Sequence, residues 1–392
     1  MPRDPDFEAA EPLARARALG PAIAAAADAI ETTQRIPEPL LSDLLAARLN
    51  RLLLPRGLDG EETTPWEYCD IVAEIARHDG SVGWNIFVVN SSALIAPHLP
   101  EASARSIFVD PRAWVAWGPP NEHVARAVPG GYRVSGEWHF ASGSRQASWM
   151  GAHCPVREAD GTLRPGPAGR PAVRSFLFPA EAVERIADWN PIGMRGTASE
   201  GYRVADLFVP EAFSATREEP EGRRDPGRLF AFPMQGLYAV GVAGVAFGIA
   251  RAMLDAFAEL ATRKTPRGLG RLADSATVQA GFARQEAALG AARAYLRAIL
   301  IEIWETEAGE TGAIGIAARA RLRLACAHGI AAAIGAADFA HKAAGVDAIF
   351  PGSAFERRFR DMHTLSQQIQ SRESHFEAAG AILFGVMPAV FY

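Results

Sequence analysis

The hydrophobic period of the chain changes twice along its length, and this change constrains the possible folds more than any other feature. Apolar residues recur at helical spacing over residues 8–113. Short strands then alternate with Gly, Pro and Asp until about residue 210, and helical spacing returns near residue 230. The sequence therefore predicts an α+β protein, mainly α, with a helical domain (1–113), a β domain (114–214) and a second helical domain (215–392).

Segregated helices and strands argue against a doubly wound nucleotide-binding sheet, in which the two would alternate. No G-x-G-x-x-G or G-x-x-x-x-G-K-[ST] motif follows a predicted strand. The net charge is −5 with no block of like charge, so we expect no nucleic acid partner. The nine histidines and three cysteines lack metal-ligand spacing, and so few cysteines indicate a reducing cytoplasm without disulfides.

Residues 229–250 contain no charged side chain and are long enough to span a bilayer. The alternative is a helix buried inside a bundle, where Gly241, Gly244 and Gly248 allow neighbouring helices to approach closely. We favour the buried helix and expect no membrane partner. Since residues 1–20 have no apolar core, no signal peptide is expected either.

Four stretches of sequence, in this order and at these separations, resemble the acyl-CoA dehydrogenase superfamily. They are ARHDGSVGWN (76–85), GGYRVSGEWHFASGS (130–144), WNPIGMRGTASEGYRVADLFVP (189–210) and FRDMHTLSQQIQ (359–370). Within this superfamily, the four stretches are most similar to the oxygenase components of two-component flavin monooxygenases. The resemblance implies an N-terminal helical domain, a central β-barrel and a C-terminal four-helix bundle.

The resemblance also implies a role for the small residues that interrupt a strand near Ser142. A reduced flavin carries a hydrogen on N5 and reacts with O2 at the adjacent carbon, C4a. By resemblance, the Ser142 hydroxyl holds the N5 hydrogen, Gly143 lets the backbone approach the ring, and Trp138 supports the site. The alternative is a strand bulge with solvated serines.

Other residues are assigned to the flavin by the same resemblance. Asn121 would hydrogen-bond near C4a, although it could equally be an ordinary turn asparagine. Thr197 and Ser199 lie in a polar, glycine-containing loop that would contact the flavin, with Trp189 stacked on its ring; a plain turn is the alternative. Arg263 and Gln279 match the helix end that binds flavin phosphate, where the alternative is a solvated loop.

The last predicted helix, 354–385, would cover the substrate side of the flavin and carries Arg360 and Asp361 near its start. Dehydrogenases of the superfamily place a catalytic glutamate about nine residues after this arginine, but Gln368-Ile369-Gln370 contains no carboxylate. Many monooxygenases place a histidine in this helix, usually near the positions of Gln367 or Gln368. The candidate here is His363, displaced from that position, and a structural role is the alternative.

The resemblance therefore implies a flavin-dependent monooxygenase, the oxygenase component of a two-component system. It would take reduced FMN or FAD from a separate NAD(P)H-flavin reductase, form a C4a-hydroperoxyflavin with O2, and oxygenate an aromatic or heteroatom-containing molecule. Trp84 and His363 would line the substrate pocket. We expect a cytoplasmic homotetramer without a metal. The alternatives are an acyl-CoA dehydrogenase-like flavin dehydrogenase or oxidase, and a non-catalytic descendant of the fold.

Overall fold

The computed structural model describes residues 10–166, 170–216, 222–309 and 313–388. Within these residues, five α-helices precede the first strand. The capping box expected at Thr64 and Glu67 is present and starts the third of these helices, with Pro65 in its first turn. The five helices are α1 (Pro12–Thr33), α2 (Glu38–Ala46), α3 (Pro65–His78), α4 (Gly80–Ala93) and α5 (Glu101–Phe108).

The described strands of the β domain form one eight-stranded sheet with the order β6–β7–β3–β2–β4–β5–β8, and β1 pairs with β4. Strands β5 and β7, near opposite ends of this order, also contact each other, so the sheet curls towards a barrel. Tyr202 on β7 spans its interior and donates a hydrogen bond to the carbonyl of Gly151 on β4. The strands are β1 (Val115–Trp117), β2 (Ala125–Val128), β3 (Gly131–Ala141), β4 (Trp149–Arg157), β5 (Val173–Pro179), β6 (Glu184–Ile186), β7 (Glu200–Pro210) and β8 (Ser214–Ala215).

The C-terminal helices confirm the predicted return to helical structure, with one difference. The single helix predicted over 354–385 is two helices, separated by a turn in which Gln368 is extended and its side chain accepts from the N–H of Gln370. This polar segment satisfies its own backbone and so does not need to stay helical. The helices are α6 (Met234–Arg263), α7 (Ala276–Thr306), α8 (Ile316–Ala344), α9 (Glu356–Leu365) and α10 (Ser374–Leu383).

Helix α6 is the central helix of the protein. It packs on α3, α4 and α8, and 83% of its most apolar 18-residue window is buried inside the protein. A Cβ added to Gly241 would lie 2.5 Å from the ring of Phe87, and one added to Gly248 would lie 2.3 Å from the carbonyl oxygen of Ala73. The glycines therefore let α6 approach its neighbours closely, as predicted. A second helix long and apolar enough to span a membrane, Ile316–Ala348, has 56% of its window buried.

Helix α4 lies where the helical and β domains meet. Asp79 ends α3 and begins α4, because its carboxylate accepts a hydrogen bond from the N–H of Val82 at 2.9 Å. All residues of α4 are buried, including Trp84 and Asn85. The helix contacts β1 and the loop that precedes β7. Its polar side chains are therefore available to the β domain but not to solvent.

Candidate functional site

Ser142, at the end of β3, lies in a buried polar cluster. The indole Nε1 of Trp84 donates a hydrogen bond to the Ser142 hydroxyl oxygen at 3.0 Å. The hydroxyl also lies 2.7 Å from that of Ser199. Ser142 keeps 6% of its surface exposed, and Ser199 keeps 4%. A solvated serine at a bulge would be much more exposed, so the environment of Ser142 favours a built polar site.

The loop before β7 supplies the rest of the cluster. The hydroxyls of Thr197 and Ser199 lie 2.7 Å apart, and Thr197 donates to the carbonyl oxygen of Met194 at 2.9 Å. The N–H of Gly143 donates to the carbonyl oxygen of Thr197 at 2.8 Å. The structure thus brings together Ser142, Gly143, Thr197 and Ser199, four of the residues that the sequence assigns to the flavin.

The conformation of this loop is strained and supported from both sides. Met194 and Ala198 are in the left-handed region, with φ of 53° and 46°. Asn85 on α4 donates from its Nδ2 to the carbonyl oxygen of Gly196 at 3.0 Å. A Cβ on Gly193 would lie 2.2 Å from the carbonyl oxygen of Arg360, so α9 packs directly against the loop. These contacts hold the hydroxyls of Thr197 and Ser199 in place.

Asp361 fixes the other end of the loop. Its carboxylate accepts a hydrogen bond from the N–H of Met194 at 2.5 Å. Burial, followed by the nearby carboxylate of Asp79, raises the pKa of Asp361 to about 7. Burial likewise raises the pKa of Asp79 to about 6. Arg360 donates to the carbonyl oxygen of Ile192 and pairs with Glu356, so it contacts the same loop on its exposed side.

The two tryptophans assigned to the flavin lie in different environments. Trp138 is fully buried in the β domain and stacks on Tyr202 at 5.7 Å, so it does not line the surface beside Ser142. Its role in supporting the flavin stays a prediction. One extra residue lies on β3 between Trp138 and Ala141, which changes the side chains that face inwards beyond Trp138. Trp189 contacts the exposed ring of Phe140 edge-on at 6.3 Å, and its buried Nε1 has no partner among the described residues.

Asn121 lies in an exposed turn. Its side chain donates to the carbonyl oxygen of Glu137 at 2.8 Å and accepts from the N–H of His123 at 3.0 Å. Both contacts stabilise the turn itself. The structure gives Asn121 the contacts of a turn asparagine, and its role near C4a stays a prediction.

Arg263 and Gln279 are not brought to the Ser142 cluster by any contact within the described part of this chain. Arg263 pairs with Glu259 on the surface of α6, and Gln279 donates to the carbonyl oxygen of Ala273. Both lie at one end of the helical bundle, where α6 ends and α7 begins. Their role in binding phosphate stays a prediction.

His363 lies on α9 but faces α8. Its Nε2 is 2.9 Å from a carboxylate oxygen of Asp338, and its ring packs on Phe359 at 4.3 Å. Its neighbour Asp361 faces the Met194 loop instead. None of the described contacts joins His363 to the Ser142 cluster, so its catalytic role stays a prediction.

Several contacts of the site were missed by the sequence analysis. Trp84 was assigned to the substrate pocket, but it also donates directly to Ser142 across 58 positions of sequence. Asn85 and Asp79 were not assigned any role. The signal for Asp79 was present, since Asp before Gly80-Ser81 is a typical N-cap. Long-range side-chain bonds such as those of Trp84 and Asn85 leave no local pattern.

The residues present fit a reduced flavin. Ser142 is a hydroxyl at a nearly dry position, suited to a polar hydrogen such as that on N5. The buried, unpartnered indole N–H of Trp189 is a donor that suits a ring carbonyl. Phe140 and Ile192 expose apolar surface in the same two segments, as an aromatic ring system requires. The arrangement can therefore hold a planar, mixed polar and apolar group.

Comparison with known proteins agrees with this geometry. The family described as acyl-CoA dehydrogenase, C-terminal domain, matches residues 240–372. Indole-3-acetate monooxygenase of Pseudomonas putida is 27% identical over 390 residues, 97% of each chain. The flavin-dependent monooxygenase oxygenase subunit HsaA of Rhodococcus jostii (strain RHA1) is 26% identical over 363 residues, 89% of this chain and 91% of the relative.

The fold comparison gives the same result. XiaF from Streptomyces sp., solved in complex with FADH2 and glycerol, superposes with a TM-score of 0.88 at 24% identity, over 97% of this chain and 96% of that chain. The predicted mainly helical fold with a central β domain is confirmed. The C-terminal helical part of the chain therefore matches the acyl-CoA dehydrogenase C-terminal domain family, and the relatives by sequence are monooxygenases, among them the oxygenase subunit of a flavin-dependent monooxygenase.

Proposed function

We propose that this chain is the oxygenase component of a flavin-dependent monooxygenase that acts on an aromatic small molecule. The observation that carries the proposal is the buried cluster of Ser142, Thr197 and Ser199, which places a hydroxyl suited to the N5 hydrogen between α4 and the β domain. The relatives, which match along almost the whole chain, are monooxygenases of this type.

When bound, a reduced flavin supplies the two electrons with which O2 is split, one oxygen atom entering the substrate and the other leaving as water. The residues of this chain prepare the site for that chemistry. Ser142 would accept a hydrogen bond from the ring, and the surrounding buried residues would keep water away from it. The Met194 loop, held by Asp361 and Asn85, keeps the hydroxyls in place.

The alternative of acyl thioester dehydrogenation is disfavoured by the turn after α9. That reaction needs a base to remove an α-proton, and the segment where the superfamily places it contains Gln368 and Gln370 rather than a carboxylate. The side chain of Gln368 is occupied by its own turn. Trp84 on helix α4, which donates to Ser142, places an aromatic side chain beside the cluster, which suits an aromatic substrate.

The flavin would come from a separate reductase, because the sequence has no nicotinamide-binding motif and one relative is named as an oxygenase subunit. FAD is our first choice over FMN, since XiaF was solved with FADH2. The cytoplasm is the proposed location, and the three buried free cysteines are consistent with a reducing compartment.

A homotetramer is also part of the proposal. Two segments at the C-terminal end of the bundle expose large apolar side chains, which are unusual on the surface of a monomer. A second copy covering them would also bring the bundle end that carries Arg263 and Gln279 towards another chain. The exposed residues are Val346, Ile349, Phe350, Leu383, Phe384, Val386 and Met387.

The proposal is tested by supplying purified protein with a generic flavin reductase, NADH and FAD under ¹⁸O2, and screening aromatic acids, phenols and indoles. Indole-3-acetate is the first substrate to test. We expect one ¹⁸O atom in the product, formed only when the reductase and flavin are both present. Product that forms without flavin, or that takes its oxygen from water, would refute the proposal.

A further inference from the structure

Four consecutive hydrogen bonds join Trp84 to Met194 through three hydroxyls. Trp84 bonds Ser142 (3.0 Å), Ser142 bonds Ser199 (2.7 Å), Ser199 bonds Thr197 (2.7 Å), and Thr197 bonds the Met194 carbonyl oxygen (2.9 Å). All three hydroxyls are buried, with at most 6% of any of these residues exposed. Water therefore has little access to compete for their hydrogens. We call this set of bonds the hydroxyl chain.

Both ends of the hydroxyl chain are fixed chemically. An indole N–H can only donate, and a carbonyl oxygen can only accept. The four hydrogen bonds use four hydrogens, one from the indole and three from the hydroxyls. With both ends fixed, each bond can therefore have only one direction. Thr197 donates to Met194, so Ser199 must donate to Thr197, and Ser142 must donate to Ser199.

This direction determines what Ser142 can offer a ligand. Its hydrogen is committed to Ser199, and one of its two lone pairs accepts from Trp84. The remaining lone pair can accept one further hydrogen bond. Towards a bound group, Ser142 is therefore an acceptor and cannot act as a donor unless the hydroxyl chain is broken.

We propose that the hydroxyl chain makes the site selective for reduced over oxidised flavin, with Thr197 and Ser199 as positioning residues that act through Ser142. The inference rests on the proposed function. A reduced flavin presents an N–H at N5, which matches the acceptor. An oxidised flavin presents a lone pair at N5, which would face the lone pair of Ser142 without a hydrogen between them.

The selectivity would suit an oxygenase that receives reduced flavin by diffusion. Such a protein must bind the reduced form when oxidised flavin is also present, and must release the oxidised form after each turnover. A Ser142 hydroxyl free to rotate would bind both forms, because it could donate to one and accept from the other. The hydroxyl chain removes that freedom.

The test is an anaerobic titration of the full-length chain with reduced FAD and, separately, with oxidised FAD. Thr197→Val removes the hydroxyl that accepts from Ser199 while keeping a β-branched side chain of similar size. Ser199 can then donate to Ser142, so that Trp84 and Ser199 occupy both lone pairs of Ser142 and only its hydrogen is left for the flavin. We expect the Kd for reduced FAD to rise and the Kd for oxidised FAD to fall, changing their ratio by about tenfold.

Two further variants serve as controls. Thr197→Ser keeps the hydroxyl and should restore the wild-type ratio. Thr63→Val removes a buried hydroxyl elsewhere, one that donates to the Leu52 carbonyl oxygen at 3.0 Å, and should leave the ratio unchanged. If Thr197→Val does not fold, Ser199→Ala provides a second test: it removes the acceptor of the Ser142 hydrogen but leaves one lone pair of Ser142 free, so the Kd for oxidised FAD should fall while that for reduced FAD stays close to the wild-type value.

The outcomes separate this inference from the proposed function. Opposite shifts of the two Kd values support it, because a merely structural defect would weaken both forms alike. Equal weakening in Thr197→Val, an unchanged ratio, or a wild-type protein that binds both forms equally would overturn the inference and leave the proposed function standing. A wild-type protein that binds neither FAD nor FMN in either form would refute the proposed function itself.

Discussion

The carboxylate of Asp361 accepts a hydrogen bond from the N–H of Met194 at 2.5 Å, across 167 positions of sequence. The carbonyl of the same Met194 accepts from Thr197, which belongs to the cluster around Ser142. Helix α9 is thereby joined to the polar cluster through one residue held in a left-handed conformation. This bond places the Arg-Asp pair of the sequence beside the candidate site, although neither side chain contacts Ser142.

Asp361→Ala should destabilise the protein and weaken flavin binding. The change leaves the buried N–H of Met194 without an acceptor, which costs about 1–3 kcal/mol. Asp361→Asn keeps an acceptor oxygen at the same position and should retain most of the affinity for reduced FAD. Urea unfolding and anaerobic titration measure both effects. Equal loss of affinity in the two variants would show that the charge, rather than the hydrogen bond, holds the loop.

The buried pair of Asp361 and Asp79 should make stability fall as the pH rises. Their folded-state pKa values are raised to about 7 and about 6, whereas an unfolded Asp has a pKa of about 3.9. The folded chain therefore binds these protons more tightly. The stability they contribute is fully present below about pH 4 and is lost as the pH rises through the two folded-state values.

Asp361→Asn isolates this effect, because the amide cannot ionise. The charged groups around the pair, Glu31, Arg357, Arg358 and Arg360, remain in the variant. Between about pH 5 and about pH 8, the free energy of unfolding of the wild type should fall by on the order of 2–3 kcal/mol relative to that of the variant. Urea unfolding at the two pH values measures the difference. A difference in unfolding free energy between the two proteins that does not change with pH would show that Asp361 is ionised throughout this range.

Ser142→Ala should leave the fold intact and uncouple oxygen consumption from product formation. The side chain is small, so its loss opens little space. Losing its hydrogen bond to the flavin would cost about 1–3 kcal/mol, which corresponds to about tenfold to a hundredfold faster release of hydrogen peroxide. Peroxide release and product are measured together. Wild-type coupling in the variant would mean that Ser142 is only a serine at a strand bulge.

His363→Ala should lower product formation while flavin binding stays close to that of the wild type. The prediction depends on the position of His363 in the helix that, by family resemblance, covers the substrate side of the flavin, where an imidazole could act as a base. The structure supplies a matched control, Asp338→Asn, which removes the carboxylate partner of His363 but keeps the imidazole. Normal product formation in His363→Ala would assign the histidine a structural role.

The sequence predicted the fold well because the fold depends on local periodicity. The change of period near residue 114 and the capping box at Thr64 are both local signals, and both agree with the structure. The break after α9 was missed because the segment around Gln368 leaves the helix through side-chain bonds within its own turn. Such competition between side chain and backbone is not visible in apolar spacing.

The candidate site was predicted in part. Ser142, Thr197 and Ser199 were assigned by resemblance and are in contact. Trp138 was assigned to support the flavin site; it lies in the β-domain core, and its role stays a prediction. The register shift between Trp138 and Ala141 was not visible in the alternating pattern of the strand. The contact of Trp84 with Ser142 could not be predicted, because it depends on how α4 meets the β domain.

The most direct test of the proposed oxygenase function follows the return of oxidised-flavin absorbance when protein loaded anaerobically with reduced FAD is mixed with oxygenated buffer. The proposal predicts that oxidised flavin returns more slowly with the protein than with free reduced FAD, and that Ser142→Ala removes most of this delay. A wild-type trace that matches free reduced FAD, at a protein concentration well above its Kd, would contradict the proposal.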